Sequence, residues 1–253
     1  MKRILPLVGF LLFVFSMQVE AQKNIKNEKI ETLFFQATYS FQMPGGDLKN
    51  YYGNNSTIGG GVNFKTKQNW MFGLHGHFIF GNDVKIRREI LRMIGTPDGE
   101  IIDGNGTFTS LSMQERGYHF QAKAGKLFPI FSPNPNSGFF VMAGVGYLLH
   151  RIRIETQFGT APQLEGDYAK GYDRMRGGFA YSGEFGYLYL SNSRLANFSI
   201  SLEFTQAFTK GLRDYDFSMM GKDNKSYVDN YFGIKISWII PTYVRVPKEY
   251  YYY

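Results

Sequence analysis

Residues 179–190 read FAYSGEFGYLYL and residues 197–208 read NFSISLEFTQAF, with the polar break SNSRLA between them. In the first run Phe179, Tyr181, Phe185, Tyr187 and Tyr189 fall on every second position, and only Gly183 interrupts them. In the second, Phe198, Ile200, Leu202, Phe204 and Phe208 alternate with Ser199, Ser201, Glu203, Thr205 and Ala207. Successive side chains on a strand point to opposite faces, so these are two strands joined by a Ser- and Asn-rich turn. A soluble sandwich alternates in the same way. Here one face is so aromatic, and the other so rich in Gly, Ser, Thr and Glu, that lipid belongs outside and a narrow polar interior inside.

Working outward, the same alternation recurs six more times. Leu33, Phe35, Ala37, Tyr39 and Phe41 share a face in Thr32–Gln42, and Ile58, Val62 and Phe64 share one in Ser56–Lys65. Trp70, Phe72, Leu74, Phe78 and Phe80 do so in Trp70–Phe80, as do Tyr118, Phe120, Ala122 and Ala124 in Tyr118–Phe128. A fifth strand runs from Phe139 to about His150, and the last from Tyr227 to Ile240 with Phe232, Ile234, Ile236 and Trp238 outward. Between them long breaks (43–55, 81–109, 154–178, 209–226) alternate with short ones (66–69, 129–138, 191–196). The pattern predicts an all-β, eight-stranded antiparallel up-and-down transmembrane β-barrel over residues 32–240, with long extracellular loops and short periplasmic turns. It also puts both termini in the periplasm of an outer-membrane protein. Residues 22–31 then form a periplasmic lead and 241–253 a periplasmic tail.

The ends and the composition agree with that compartment. Met1-Lys2-Arg3, an apolar run from Ile4 to Met17 and the close Val19-Glu20-Ala21 predict a signal peptide over residues 1–21. No Cys is present for a lipid anchor or a disulfide. The formal charge of +7 suits contact with anionic lipid and lipopolysaccharide but is too dispersed to indicate nucleic acid. Aromatics at 17% and 29 Gly favour a membrane barrel over a soluble core, because such a barrel spends aromatics on its belt and small residues inside.

The stretches GYHFQAKAGKLFP (117–129), GDYAKGYDR (166–174) and the close WIIPTYVRVPKEYYYY (238–253) resemble those of small outer-membrane β-barrels of Bacteroidota, similar in plan to the OmpA and OmpX transmembrane domains. The resemblance covers the mature chain and implies fold and location rather than an activity. Some barrels of that group serve the type IX secretion and gliding apparatus, which makes an accessory role there the alternative to a structural or interaction role. A departure is that thirteen residues follow the last strand.

Inward-facing ionisable residues are few. Setting Leu190 opposite Asn197 pairs Glu184 with Glu203, while Lys235 and Lys123 lie at similar depth on the last and fourth strands. The expectation is a buried lumen ionic network of Lys123, Glu184, Glu203 and Lys235, because two adjacent carboxylates in a narrow lumen need donors. His75, His77 and His119 also face inward; hydrogen bonding is the reading preferred to metal ligation, and no cofactor is expected. No Ser nucleophile stands at a matching height beside His75, His77, His119 and Glu184 to make a lipid- or peptide-modifying enzyme, so the chain is read as non-enzymatic. Gly59-Gly60-Gly61 lacks the Lys-Ser/Thr of a phosphate cradle, and Asp103–Thr107 lacks the Gly and Glu of a calcium loop.

Two stretches are read as interaction elements. In the second long loop Asp83–Ile94 predicts a short helix, with Lys85, Arg87, Arg88 and Arg92 off its apolar face and toward lipopolysaccharide phosphate or a protein partner. In the tail, Arg245, Lys248, Tyr250 and Tyr253 make either an interfacial anchor beside Trp238 and Tyr243 or a docking peptide for another outer-membrane or periplasmic protein.

Overall fold

The computed structural model describes residues 25–242 except 26, 97, 99, 157–158 and 192–195. The expected signal peptide and the four named tail residues lie outside the described residues.

In a bilayer every backbone N–H and C=O must find a partner within the protein, so a spanning sheet has to close. This one does. Its strands are β1 (Thr32–Gly46), β2 (Asn55–Lys65), β3 (Trp70–Gly81), β6 (Leu111–Phe128), β7 (Gly138–Thr156), β8 (Arg176–Tyr189), β9 (Phe198–Gly211) and β10 (Ser226–Pro241). They form one closed antiparallel barrel, with β1 paired to β10 from Phe34↔Pro241 to Gly46↔Asp229. Two further strands, β4 (Ile101–Ile102) and β5 (Phe108–Thr109), make a small hairpin inside the second long loop. Asp103 closes that hairpin by accepting the N–H groups of Asn105 (2.9 Å) and Thr107 (2.8 Å), and Gly106 supplies a φ of +81°. These N–H bonds, that of Thr107 foremost, hold the Asp103 carboxyl below its ordinary pKa.

All eight strands sit where alternation puts them, but most extend further toward the long-loop end. β1 continues to Gly46, β7 to Thr156 and β9 to Gly211. Apolar alternation stops where lipid stops, whereas the hydrogen-bond ladder does not need lipid to continue. Conversely, the predicted helix shrinks to five residues, α1 (Arg87–Leu91). A bridge between Tyr52 and Val84 keeps its start extended, and one between Gly95 and Ile101 ends it.

Outward side chains form the belt. Phe35, Tyr39, Phe72, Phe120, Phe185, Ile236 and Trp238 remain exposed, and Leu74 reaches 70%. An apolar surface of that extent is tolerated only against lipid. Among the described residues no helix is long and apolar enough to cross a membrane.

The interior is filled in layers. At the short-turn end Ile25, Ile30, Phe34, Met71, Leu127, Phe140, Met142, Leu188, Leu190 and Ile239 pack as one cluster. The lead to β1 is therefore part of the barrel's filling. Asn136, in the β6–β7 turn, holds it: its Oδ1 accepts Ile30 N–H (2.8 Å) and Lys65 Nζ (2.9 Å), and its Nδ2 donates to Ile25 O (3.0 Å) and Glu28 O (2.7 Å). At the other end the long loops fold over the mouth. Leu48 and Tyr52 from the first, Ile90, Leu91 and Ile101 from the second, and Ala161, Leu164 and Tyr172 from the third pack with Ile79, Leu148, Ile152 and Tyr231 of the wall.

Asn136→Ala leaves the Lys65 ammonium and the Ile30 N–H buried without this acceptor. It should destabilise the barrel by about 2–3 kcal/mol. Urea unfolding from detergent, followed by Trp fluorescence, measures this. A loss below about 0.5 kcal/mol would mean that the lead is not held by these bonds.

Candidate functional site

Between the two apolar layers lies a charged knot. The β8–β9 register places Glu184 directly opposite Glu203. Lys123 Nζ, from β6, donates to Glu184 Oε2 and to Glu203 Oε1, both at 2.6 Å. Lys235 Nζ, from β10, lies 2.6 Å from Glu184 Oε2 and 3.4 Å from Glu203 Oε2. Ser201 donates to Glu184 (2.7 Å) and Gln121 to Glu203 (3.1 Å). All four ionic side chains are at least nine-tenths buried. Two positive and two negative charges balance, so the group is neutral as a unit. That balance is what lets it sit away from water.

The histidines stand beside it. His75 lies 3.1 Å from both Gln36 Nε2 and Asn63 Oδ1, so each of its ring nitrogens has a polar partner. The rings of His75 and His77 stack at 6.2 Å, and His119 sits opposite His77 with ring centroids 6.5 Å apart. Among the described residues no three His, Asp or Glu side chains gather in a metal-holding arrangement. The Gly59–Gly61 run finds its reason here. A Cβ on Gly61 would lie 2.7 Å from His75 Nδ1, and one on Gly59 would lie 2.9 Å from the His77 ring. Those glycines make room for imidazoles. What space remains is small: the cavity bounded by Phe34, Gln36, Asn63, His75, Met142 and Glu184 is about 20 Å³, room for one water.

A second polar layer, above the knot, escaped sequence reading. Glu115 accepts Tyr231 O–H (2.7 Å) and Asn55 Nδ2 (2.8 Å). His150 lies between Tyr52 O–H (3.3 Å) and Asp229 Oδ2 (3.2 Å), and Thr209 donates to the same carboxylate. Arg176 is sandwiched between the rings of Tyr51 and Tyr227, at 4.0 and 3.5 Å. The signal was present, since Asp229 is six residues from Lys235 and His150 eight from Met142, hence on the inward face. The extra strand length hid Glu115 and Arg176, whereas His150 and Asp229 lay within the expected strands and went unpaired there because their partners Tyr52 and Thr209 come from expected loops. The loops above are stapled by Arg174 to Glu89 (2.9 Å) and by Arg213 to Asp173. Of the basic residues around α1, Arg88 and Arg92 are exposed and Lys85 donates to Lys49 O at 2.8 Å, while Arg87 is half-buried.

The belt and the closed ladder together define a membrane-spanning eight-stranded β-barrel. No family model matches the chain, and neither does any curated protein. Among solved structures it resembles neisserial surface protein A, at 11% identity and a TM-score of 0.41, over 82% of this chain and 96% of that one. It also resembles Ail, the attachment invasion locus protein of Yersinia pestis (8%, 0.40; 83% and 100%), and the outer membrane protein OprG from Pseudomonas aeruginosa (11%, 0.36; 86% and 99%).

Removing one member of the knot leaves its partners uncompensated. Glu184→Gln and Lys235→Met should each cost about 3–5 kcal/mol of unfolding free energy. Combining Glu203→Gln with Lys235→Met restores charge balance and should be milder than Lys235→Met alone. A double variant no more stable than the single would show that the four residues do not act as a group.

Proposed function

We propose that this chain is a non-enzymatic outer-membrane protein with a structural or interaction role, working through the surface of its long-loop cap. The single observation behind the reading is the distribution of space. The lumen is filled by an apolar layer, a neutral ionic knot, a second polar layer and the cap, so solute has no route through it. The cap is meanwhile packed and ion-paired as a platform of its own. Eight strands leave an interior just wide enough for side chains. Among the described residues the recorded partners of His75 and His150 are Gln36, Asn63, Tyr52 and Asp229 and not a serine, which favours a binding role over hydrolysis.

The short-turn end faces the periplasm in this reading, because outer-membrane barrels keep short turns on that side and long loops outside. Both termini then lie in the periplasm. The tail beyond Thr242 is available there as a docking peptide, with Arg245, Lys248, Tyr250 and Tyr253 as its contacts.

Reconstituted into planar bilayers, the protein should show no stepwise conductance, and Glu203→Gln should not open one. Sustained single-channel steps from the folded protein would overturn the closed-barrel reading. Deleting Lys248–Tyr253 should leave heat-modifiable migration intact while removing proteins that co-purify with the full chain. Loss of barrel assembly instead would assign the tail to anchoring.

A further inference from the structure

The outer wall of the barrel carries a cluster of arginines that the lumen and the cap do not explain. On β6 and β7 the outward positions change from aromatic to cationic within two residues. Tyr118 lies level with Phe78 on β3 and Leu149 on β7. One pair higher, Arg116 lies level with Phe80 and directly opposite Arg151, and one pair higher again Gln114 faces Arg153. Two residues of a strand rise about 7 Å. The arginines therefore stand at the upper edge of the aromatic cluster made by Phe78, Phe80, Tyr118 and Phe120, with Arg116 level with Phe80; ring centroids in the cluster lie 5.3 to 6.3 Å apart. An aromatic ring of this kind marks the level at which hydrocarbon gives way to headgroups.

Like charges directly across a β ladder repel, and the protein neutralises these only in part. The Arg116 guanidinium donates to neutral acceptors, namely Gln114 Oε1, Glu115 O (2.7 Å) and Gly81 O (3.5 Å). Arg153 meets Glu155 at 2.5 Å, whereas Arg151 is 3.9 Å from Asp173, a carboxylate already held by both Nε and a terminal nitrogen of Arg213. Four arginines thus share two carboxylates. Arg151 and Arg153 are each about half exposed, so part of each fork is open to a ligand at the membrane surface.

From this juxtaposition of Arg116, Arg151 and Arg153 above the aromatic ring we infer a binding site for a phosphorylated lipid headgroup of the outer leaflet. A phosphate monoester carries up to two charges and offers oxygens that a pair of guanidinium forks engages bidentately. Its acyl chains would descend over Tyr118, Phe120 and Leu149 on the same face. The site deepens the proposed membrane role and rests on its orientation only for the choice of leaflet.

The test is lipid retention by the detergent-solubilised full chain, read by native mass spectrometry. Bisphosphorylated lipid A should be retained at least tenfold more strongly than its dephosphorylated form, and Arg116→Gln with Arg151→Gln should weaken retention by roughly tenfold or more, given what hydrogen bonds to charged groups contribute. Heat-modifiable migration confirms that the variant is folded, and the single variant Arg151→Gln, at an exposed position, serves if the pair is not. Substituting Lys67, exposed in the turn between β2 and β3 at the opposite rim, should leave retention unchanged. Inorganic phosphate at millimolar concentration should not displace the lipid; displacement would mean an anion site without a lipid component and would overturn the assignment. Equal retention of phosphorylated and dephosphorylated lipid, or by wild type and variant, would overturn it as well. None of these outcomes depends on conductance or on co-purifying partners, so failure here is separable from failure of the closed-barrel reading.

Discussion

Everything in this molecule follows from the demand that no backbone hydrogen-bonding group be left facing lipid. The demand closes β1 against β10, and closure with eight strands fixes an interior too narrow for a channel and too wide to leave empty. The filling then has to satisfy a second rule, that buried polar groups find partners. Lys123, Lys235, Glu184 and Glu203 meet both conditions at once, since each long side chain spans lumen width and each charge has its opposite within hydrogen-bond distance.

A hydrophobic filling of equal volume would be no less stable on general grounds, because desolvating ions offsets much of their attraction. What the knot adds is a dependence on register. Its carboxylates are neighbours only in the observed β8–β9 pairing, and Lys235 arrives from β10, Lys123 from β6. A slip of one residue in either ladder would turn a charge into the lipid. The same logic accounts for Gly59 and Gly61, whose missing side chains admit His77 and His75 at that height.

Strand count, strand centres and the face of every belt residue were legible in the sequence because alternation is set by lipid on one side and packing on the other. The convergence of Glu184 with Glu203 followed from a turn position, and that of the two lysines from counting along strands. The outer polar layer was not legible in the same way. Glu115 and Arg176 lie on strand ends beyond the aromatic alternation, and the outward positions beside Glu115 and His150 hold Arg116 and Arg151 in place of a steady aromatic rhythm. The predicted helix failed for a related reason. Its apolar face was real, as the burial of Ile90 and Leu91 shows, but the β-bridges on either side consumed its ends.

The lead segment carries one more consequence. Ile25 and Ile30 are buried at the short-turn mouth and tied through Asn136 to the far wall, while the chain passes directly from Ile30 into β1. That strand is one edge of the seam, and Thr242 at the end of β10 donates back to Leu33 O. The lead is thus a cross-brace over the diameter of the barrel, anchored at one end to the edge strand. Parting β1 from β10 at this rim would first require drawing the brace out of the mouth. The wall is therefore locked against sideways opening from the end where its two edges begin.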